Sequence, residues 1–325
     1  MSEILEGPHA IAFGVKRLGE GNLVAFPTET VYGLGADAFN AQAVQRVFTL
    51  KGRPNTNPLI VHVSGIVMAK TVVAHWPDAA DLIARTYWPG PVTMVLPKAD
   101  VVPGIVCANG STVAVRCPEH PCALALIESF GKPIVGPSAN PSGHISPTTP
   151  EHVMDGFPDA NLMIVDGGRC RTGIESTVVD LTSKTIRILR PGFIGPHAIS
   201  KTISQNIESI APLPHDPIAR SPGLIGAHYQ PRTPTKLVPT AALKSATDSD
   251  TIITWSIQSH PAKGTLIPIP RQIDAYASNI YRALHDADRG NPSAIWIEEP
   301  PTGSGTDELA IRTAIMERLG RATHK

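Results

Sequence analysis

Ser176-Thr-Val-Val-Asp-Leu-Thr-Ser-Lys-Thr-Ile-Arg-Ile-Leu-Arg190 carries the clearest sign of how the strands pair. It holds two strand-like runs, 177–181 and 186–189, separated by a short polar turn. A parallel pair would need a crossover of a dozen or more residues, so these two must lie antiparallel. Upstream, apolar runs at 23–26, 59–63, 92–96, 113–117, 134–136 and 163–165 read as strands. Between and before them, segments 8–20, 41–50, 78–87, 121–130 and 150–156 show the helical period. The expectation is an α/β domain whose sheet mixes parallel and antiparallel strands.

The chain has 325 residues, enough for about two domains. Hydrophobic residues at 42% exclude a disordered chain, and 32 prolines point to many rigid turns. Residues 1–204 carry 16 acidic and 16 basic side chains, and the remainder 12 and 12. Neither part has the positive field of a typical nucleic-acid module. Cys107, Cys117, Cys122 and Cys170 form no C-x-x-C pair. The first 30 residues lack a basic start followed by an apolar run, and no stretch approaches the length of a membrane span. The expected setting is cytoplasmic, with reduced thiols and no membrane contact.

Between 206 and 238 the character changes to a Pro-rich linker that includes Pro212, Pro214, Pro217, Pro222, Pro231 and Pro234. Inside it, Ser221-Pro-Gly-Leu-Ile-Gly-Ala-His-Tyr-Gln-Pro231 carries Gly, His and Tyr in the manner of an active-site lid. A smaller α/β unit follows over 239–325, with strands at 251–256 and 294–298 and helices at 273–286 and 307–319. Thr306 is placed to cap the last helix.

Five segments concentrate chemistry at strand ends. Residues 27–37, with Thr28, Thr30, Gly33 and Gly35, read as a turn that brings hydroxyls and main-chain N–H groups to a small ligand. Lys51-Gly-Arg53, followed by Asn55 and Asn57, suits a polyphosphate, though no Walker A loop is present. His62 and Arg116 end apolar strands; Arg116 needs either a substrate carboxylate or a structural Asp or Glu. Ser138 and Asn140 sit in a turn bounded by Pro and Gly, with Ser146 beyond it, and no G-x-S-x-G elbow marks a nucleophile. The fifth is Glu175-Ser176-Thr177, with Arg190 after the next strand. No metal-ligand spacing and no G-x-G-x-x-G occur. The pooled residues are cations and neutral donors with almost no carboxylate, which describes a cleft for a phosphorylated or carboxylated small molecule.

Seven motifs in order add a resemblance: Pro27-Thr-Glu-Thr-Val-Tyr-Gly-Leu, Lys51-Gly-Arg-Pro, Trp88-Pro-Gly-Pro-Val-Thr, Val115-Arg-Cys-Pro, Pro137-Ser-Ala-Asn-Pro-Ser-Gly, Ser176-Thr-Val-Val-Asp and Leu189-Arg-Pro-Gly. Together they resemble the YrdC-like domain of threonylcarbamoyl-AMP synthases. The linker and tail are similar to those of the long, two-domain form. The resemblance implies a twisted, mixed YrdC-like sheet with flanking helices over 1–205, the linker and lid over 206–238, and a small Rossmann-like α/β domain over 239–325. It implies a nucleotidyltransferase that makes threonylcarbamoyl-AMP and diphosphate from L-threonine, bicarbonate and ATP. Mg²⁺ would ride on the ATP phosphates with no protein side chain as ligand. The product would serve N6-threonylcarbamoyladenosine formation in tRNAs reading codons that start with A, through a separate transferase complex and at most transient tRNA contact. Carried over residue by residue, Lys51, Arg53, Ser138 and Asn140 form the catalytic phosphate group. Asn57, Thr112, Ser146, Arg190 and Tyr229, with Arg53 and Ser138, bind ATP; His228 is the alternative lid contact. Thr30, His62, Arg116, Gly136 and Ser176 hold L-threonine, Arg116 as a bidentate carboxylate partner and Gly136 through its main chain.

Two other readings compete. An RNA-binding module is disfavoured by zero net charge and 5% aromatics. A carbamoyl-transfer enzyme of the hydrogenase-maturation type would need zinc-finger cysteine pairs and a longer C-terminal part.

Overall fold

The strands Thr177–Asp180 and Ile186–Arg190 form the antiparallel pair that their short connection demands. They belong to a computed structural model that describes residues 1–209, 229–257 and 264–323. In chain order the elements begin with β1 (Glu3–Glu6), α1 (Gly7–Gly19), β2 (Val24–Phe26), β3 (Gly33–Asp37), α2 (Ala41–Lys51) and β4 (Ile60–His62). Next come α3 (Ile66–Ala69), α4 (Asp78–Tyr87), β5 (Val92–Pro97), β6 (Thr112–Arg116), α5 (Pro121–Phe130) and β7 (Ile134–Val135). The first unit closes with α6 (Pro150–Gly156), β8 (Met163–Asp166), β9 (Thr177–Asp180), β10 (Ile186–Arg190), α7 (Pro196–Ile203) and β11 (Ile207–Ser209). The second holds β12 (Thr235–Val238), β13 (Thr251–Thr254), β14 (Thr265–Pro268), α8 (Ile273–Arg289), β15 (Ile295–Glu298) and α9 (Thr306–Thr323).

The first eleven strands make one mixed sheet in the order β1-β8-β2-β3-β7-β4-β6-β5-β9-β10-β11. The β2/β3, β3/β7, β4/β7, β5/β6 and β9/β10 pairs are antiparallel, and the rest parallel. The remaining four strands form a second sheet, β12-β15-β13-β14, parallel throughout. Both are α/β as the sequence pattern implies.

Three expectations change. Residues 33–37 are not part of a turn but the strand β3, hydrogen-bonded between β2 and β7. Glycine usually weakens a strand; here Gly33 leaves room for the Phe26 ring, which a Cβ would meet at 2.7 Å. The segment 206–238 is not wholly linker, because β11 extends the first sheet and β12 opens the second. Their backbone groups find ladder partners that a local reading does not supply. Thr306 is the first residue of α9 rather than its cap. The part of the lid motif from Ser221 to His228 lies outside the described residues; Tyr229 lies within them.

Local signals position the functional ends. Asn40 caps α2 by accepting from the main chain of Gln42 and Ala43, and Gly52 closes the helix at φ 61°. A left-handed C-terminal residue favours glycine, and the stop leaves Lys51 and Arg53 at the helix end. In-register pairing of His62 with Arg116 carries both side chains to the same rim of β4 and β6. Among the described residues no helix is long and apolar enough to cross a membrane.

Candidate active site

A small cavity of about 50 Å³ lies at these strand ends. Thr30, Arg53, His62, Arg116, Gly136, Ser138, Arg190 and Tyr229 all line it, from segments spread along the chain. Three guanidinium groups and a histidine therefore share one wall system, a constellation suited to anions. Thr28 and Glu175 complete the polar lining.

Arg116 is only 4% exposed. Its Nε donates to the Gly90 carbonyl at 3.2 Å, its Nη1 to Thr30 Oγ1 at 2.9 Å, and its Nη2 pairs with the Glu29 carboxylate at 2.6 Å. Of the two partners the sequence allows, the structure supplies the structural glutamate. A guanidinium has five N–H donors, so two remain beyond these three contacts. His62 packs edge-on to Phe26 at 5.5 Å, and its Nδ1 has no hydrogen-bond partner among the described residues. Burial, and then the charge of Arg116, push its pKa well below the usual value, so the ring is neutral. Gly136 makes this geometry possible, since a Cβ there would come within 2.7 Å of His62 Nδ1.

On the opposite side, Arg53 donates from Nε to the Asn57 carbonyl at 3.1 Å and from Nη2 to that of Pro58 at 3.0 Å. Burial lowers its pKa to about 10, Tyr229 opposing and Arg190 adding to the effect. Arg190 ends β10 beside the start of antiparallel β9. It donates from Nε to the Ser176 carbonyl and from Nη2 to Ser176 Oγ, both at 3.0 Å.

Several anticipated ligands stand one layer behind the wall. Lys51 Nζ donates to the carbonyls of Ser138 and Asn140, both at 2.5 Å, and so shapes the loop instead of facing the cavity. Burial, and then Arg53, lower its pKa well below the usual range. Asn140 donates to the carbonyls of Pro141 and His144, both at 2.9 Å. Ser176 backs Arg190, and Ser146 donates to Glu175 at 2.7 Å. Asn57 is buried beside Arg53 and leaves its Oδ1 without a partner among the described residues. Thr112 does not join the group: it opens β6, whereas Arg116 closes it. At ~3.3 Å per residue the two ends stand well apart.

The expectation of almost no carboxylate is corrected by Glu29 and Glu175. Glu175 is the focus of contacts between the two sheets. Ser146 Oγ donates to it at 2.7 Å, Tyr281 Oη from α8 at 3.0 Å, and Arg318 Nε from α9 at 2.9 Å. Burial would raise its pKa, but Arg318, then Arg190 and Ser146, outweigh it and hold the carboxylate ionised. Arg318 is 1% exposed and also donates to the Pro191 carbonyl at 2.7 Å. One signal could have exposed it: Arg318 falls on the apolar stripe of α9 with Ile311, Ala314, Ile315 and Ala322. A charge on that stripe needs a partner. Tyr229 takes φ 66°, an unusual conformation outside glycine, and stacks on Tyr281 at 5.6 Å. Next to it, Gln230 N–H donates to the Gly143 carbonyl at 2.9 Å. Nearby, His152 of α6 stacks on His285 of α8 at 3.8 Å.

Comparison with known proteins agrees with this layout. Residues 16–192 match a family model described as "Telomere recombination", and residues 194–323 one described as "Threonylcarbamoyl-AMP synthase, C-terminal domain". The threonylcarbamoyl-AMP synthase of Pyrococcus abyssi is 37% identical over 94% of this chain and 91% of its own length. That of Bacillus subtilis is 36% identical over 95% and 93%. The crystal structure of P. abyssi Sua5 complexed with L-threonine superimposes with a TM-score of 0.88 at 35% identity, covering 99% of this chain and 97% of that one. With both parts of the chain matched, and relatives aligned along nearly its whole length, this protein belongs to the threonylcarbamoyl-AMP synthase family of enzymes.

Proposed function

We propose that this enzyme makes L-threonylcarbamoyladenylate and diphosphate from L-threonine, bicarbonate and ATP. The observation that carries the reading is the convergence of Arg53, Arg116 and Arg190 with neutral His62 on one buried cavity. The L-threonine amine forms an N–C bond with bicarbonate, whose C–O bond breaks to release water, giving N-carboxy-threonine. A carbamate oxygen attacks the α-phosphorus of ATP, a new O–P bond forms, and the bond to diphosphate breaks with its electron pair leaving on diphosphate. Two anions must meet, so fixed positive charge and aimed donors are what the protein contributes.

In this reading the two remaining donors of Arg116 take the threonine carboxylate, with Thr30, Ser176 and the Gly136 main chain around it. His62 Nδ1 accepts a hydrogen bond from the substrate. Arg53, Arg190 and Ser138 contact the ATP phosphates; Lys51 and Asn140 hold the Ser138 loop, and Asn57 and Ser146 support Arg53 and Glu175. Thr112, at the far end of β6, has no part in this cavity. Tyr229 lines this cavity and would lie against the nucleotide as part of a lid. Mg²⁺ favours oxygen ligands, and the lining carboxylate, Glu175, is already held by Arg318, Tyr281 and Ser146. The ion would accordingly stay on the nucleotide phosphates and water, supplying charge neutralisation there. The product would feed a transferase that modifies tRNAs reading codons that start with A, in the cytoplasm.

The test is diphosphate release by purified protein with ATP and Mg²⁺, omitting L-threonine or bicarbonate in turn. Release that needs both, and is much weaker with L-serine, is the expected result. Release that needs neither marks a plain ATPase, and no release together with salt-sensitive tRNA binding marks an RNA-binding module.

A further inference from the structure

The second sheet sends its chain in opposite directions from its two central strands. β15 runs on into α9, which packs on β12, whereas β13 runs on towards β14 on the other side. All four strands are parallel, so their carboxyl ends share one edge. The gap between β13 and β15 is thus a topological switch point, where open parallel α/β sheets take their ligands. A cavity of about 530 Å³ opens at that edge, within the usual size of small-molecule sites. It shares no lining residue with the catalytic cavity.

Its floor is rigid. The buried Glu298 carboxylate accepts from Thr240 Oγ1 and Thr254 Oγ1, both at 2.6 Å, and from the main chain of Trp255 at 3.0 Å and Ser256 at 3.1 Å. These four bonds tie the ends of β12, β13 and β15 together. The Trp255 indole N–H donates to the Glu299 carbonyl at 2.8 Å, which fixes the ring at the wall. The Arg271 guanidinium lies over that ring, 5.3 Å from its centre, so a planar ligand on this face takes its place and frees Arg271. Arg312 of α9 also lines the cavity, and its Nε is shut from solvent with no hydrogen-bond partner among the described residues. An Nε closed to solvent is out of reach of a ligand in the cavity, so Arg312 offers an anion its terminal N–H groups. Glu299 and Glu308 line the same cavity. Glu308 is engaged by the Ser304 main chain at 2.7 Å and its hydroxyl at 3.1 Å. Two arginines against two glutamates leave the lining close to neutral, which disfavours a triphosphate and suits one small anionic group on a planar body.

We propose that this crevice is a second ligand site, for a nucleoside monophosphate, with its phosphate on Arg271 and Arg312 and its base against Trp255. Aromatic faces hold bases with little regard to sequence, and paired guanidiniums suit a terminal phosphate. Under the reaction proposed above, whatever consumes the adenylate by acyl transfer releases AMP. That choice of nucleotide rests on that reading, whereas the site itself does not.

The test uses the full chain, saturated with L-threonine and a non-hydrolysable ATP analogue so that the catalytic cavity is filled. AMP, CMP, GMP, UMP and inorganic phosphate are titrated by calorimetry, and the Trp255 indole N–H resonance is followed in parallel. The expected result is one further monophosphate equivalent, with the Trp255 resonance shifting. Arg271→Ala and Arg312→Gln should each weaken it by about tenfold or more, a difference of ~1.4 kcal/mol. Diphosphate release should be unchanged in both variants. No further equivalent, or one that survives both substitutions with Trp255 unmoved, overturns the proposal. Equal affinity for inorganic phosphate and AMP overturns the nucleotide class. AMP binding here without any synthase activity would sink the reaction reading and leave the site standing.

Discussion

Two buried arginine–glutamate pairs reach the catalytic cavity, and they are built in opposite senses. Arg116 and Glu29 both come from the first sheet and its rim, and it is the cation, Arg116, that lines the cavity. Glu175 precedes β9 of the first sheet and Arg318 belongs to α9 of the second unit, and it is the anion, Glu175, that lines the cavity. The first pair tempers a cation that, under the proposed function, holds the substrate carboxylate. The second cancels a carboxylate that would otherwise repel phosphates, and its counter-ion is lent by α9. The C-terminal domain is thereby an electrostatic part of the site and not only an appendage.

Breaking either pair should be severe, because removing one partner of a buried pair typically costs ~3–5 kcal/mol. The largest effect is expected for Arg116→Ala, which strands Glu29 inside the catalytic domain and removes the donors offered to threonine. Its melting temperature should fall, and threonine affinity should drop by about 10- to 150-fold for a lost charge-assisted bond of ~1.5–3 kcal/mol. Wild-type threonine KM in a folded variant would reject that assignment. Arg318→Ala should come next. It should raise the ATP KM more than the threonine KM and split the thermal melt as the two domains separate. Adding Glu175→Gln should recover part of the ATP affinity, since the stranded charge is then gone. A double variant no better than the single one would show that Arg318 acts by packing alone.

Tyr281→Phe should perturb the second pair more gently. It removes one donor to Glu175 while leaving Arg318 and the stack on Tyr229 in place. A lost bond to a charged group predicts a destabilisation of ~1.5–3 kcal/mol at most, readable in chemical denaturation. A last effect is absent at neutral pH and shows only on acidification. Burial, then the neighbouring imidazole, lower His152 to about 3; burial, with Arg289 also acting against the charge, lowers His285 to about 4. Exposed histidine titrates near ~6.5. The unfolded chain thus binds more protons between these values, so stability is full above pH ~6.5 and declines as the pH falls towards about 3. His285→Phe should flatten that slope, and an unaltered slope would place its origin elsewhere.

Much of this architecture was legible from residues alone. The four-residue turn before Ile186 demanded an antiparallel pair, and the helical period of 78–87, 121–130 and 150–156 coincided with α4, α5 and α6. Those signals are local, resting on side-chain period and turn length. β3 was missed because Gly33 and Gly35 read as turn residues, and only the Phe26 ring packed against them explains a strand there. β11 and β12 were absorbed into the linker because short edge segments carry little pattern of their own.

Residue pattern was enough for most of the helices, the mixed character of the first sheet and the set of cations and hydroxyls placed at strand ends. Tertiary structure alone decided which of them face one cavity, that Lys51 and Ser146 stand behind it, and that Thr112 lies outside it. It also decided the charge of the site. Glu175 and Arg318 are 143 residues apart in sequence yet 2.9 Å apart in space. The physical reason is range: periodicity and turn chemistry act over a few residues, whereas the neutralisation of a buried charge depends only on what folds against it.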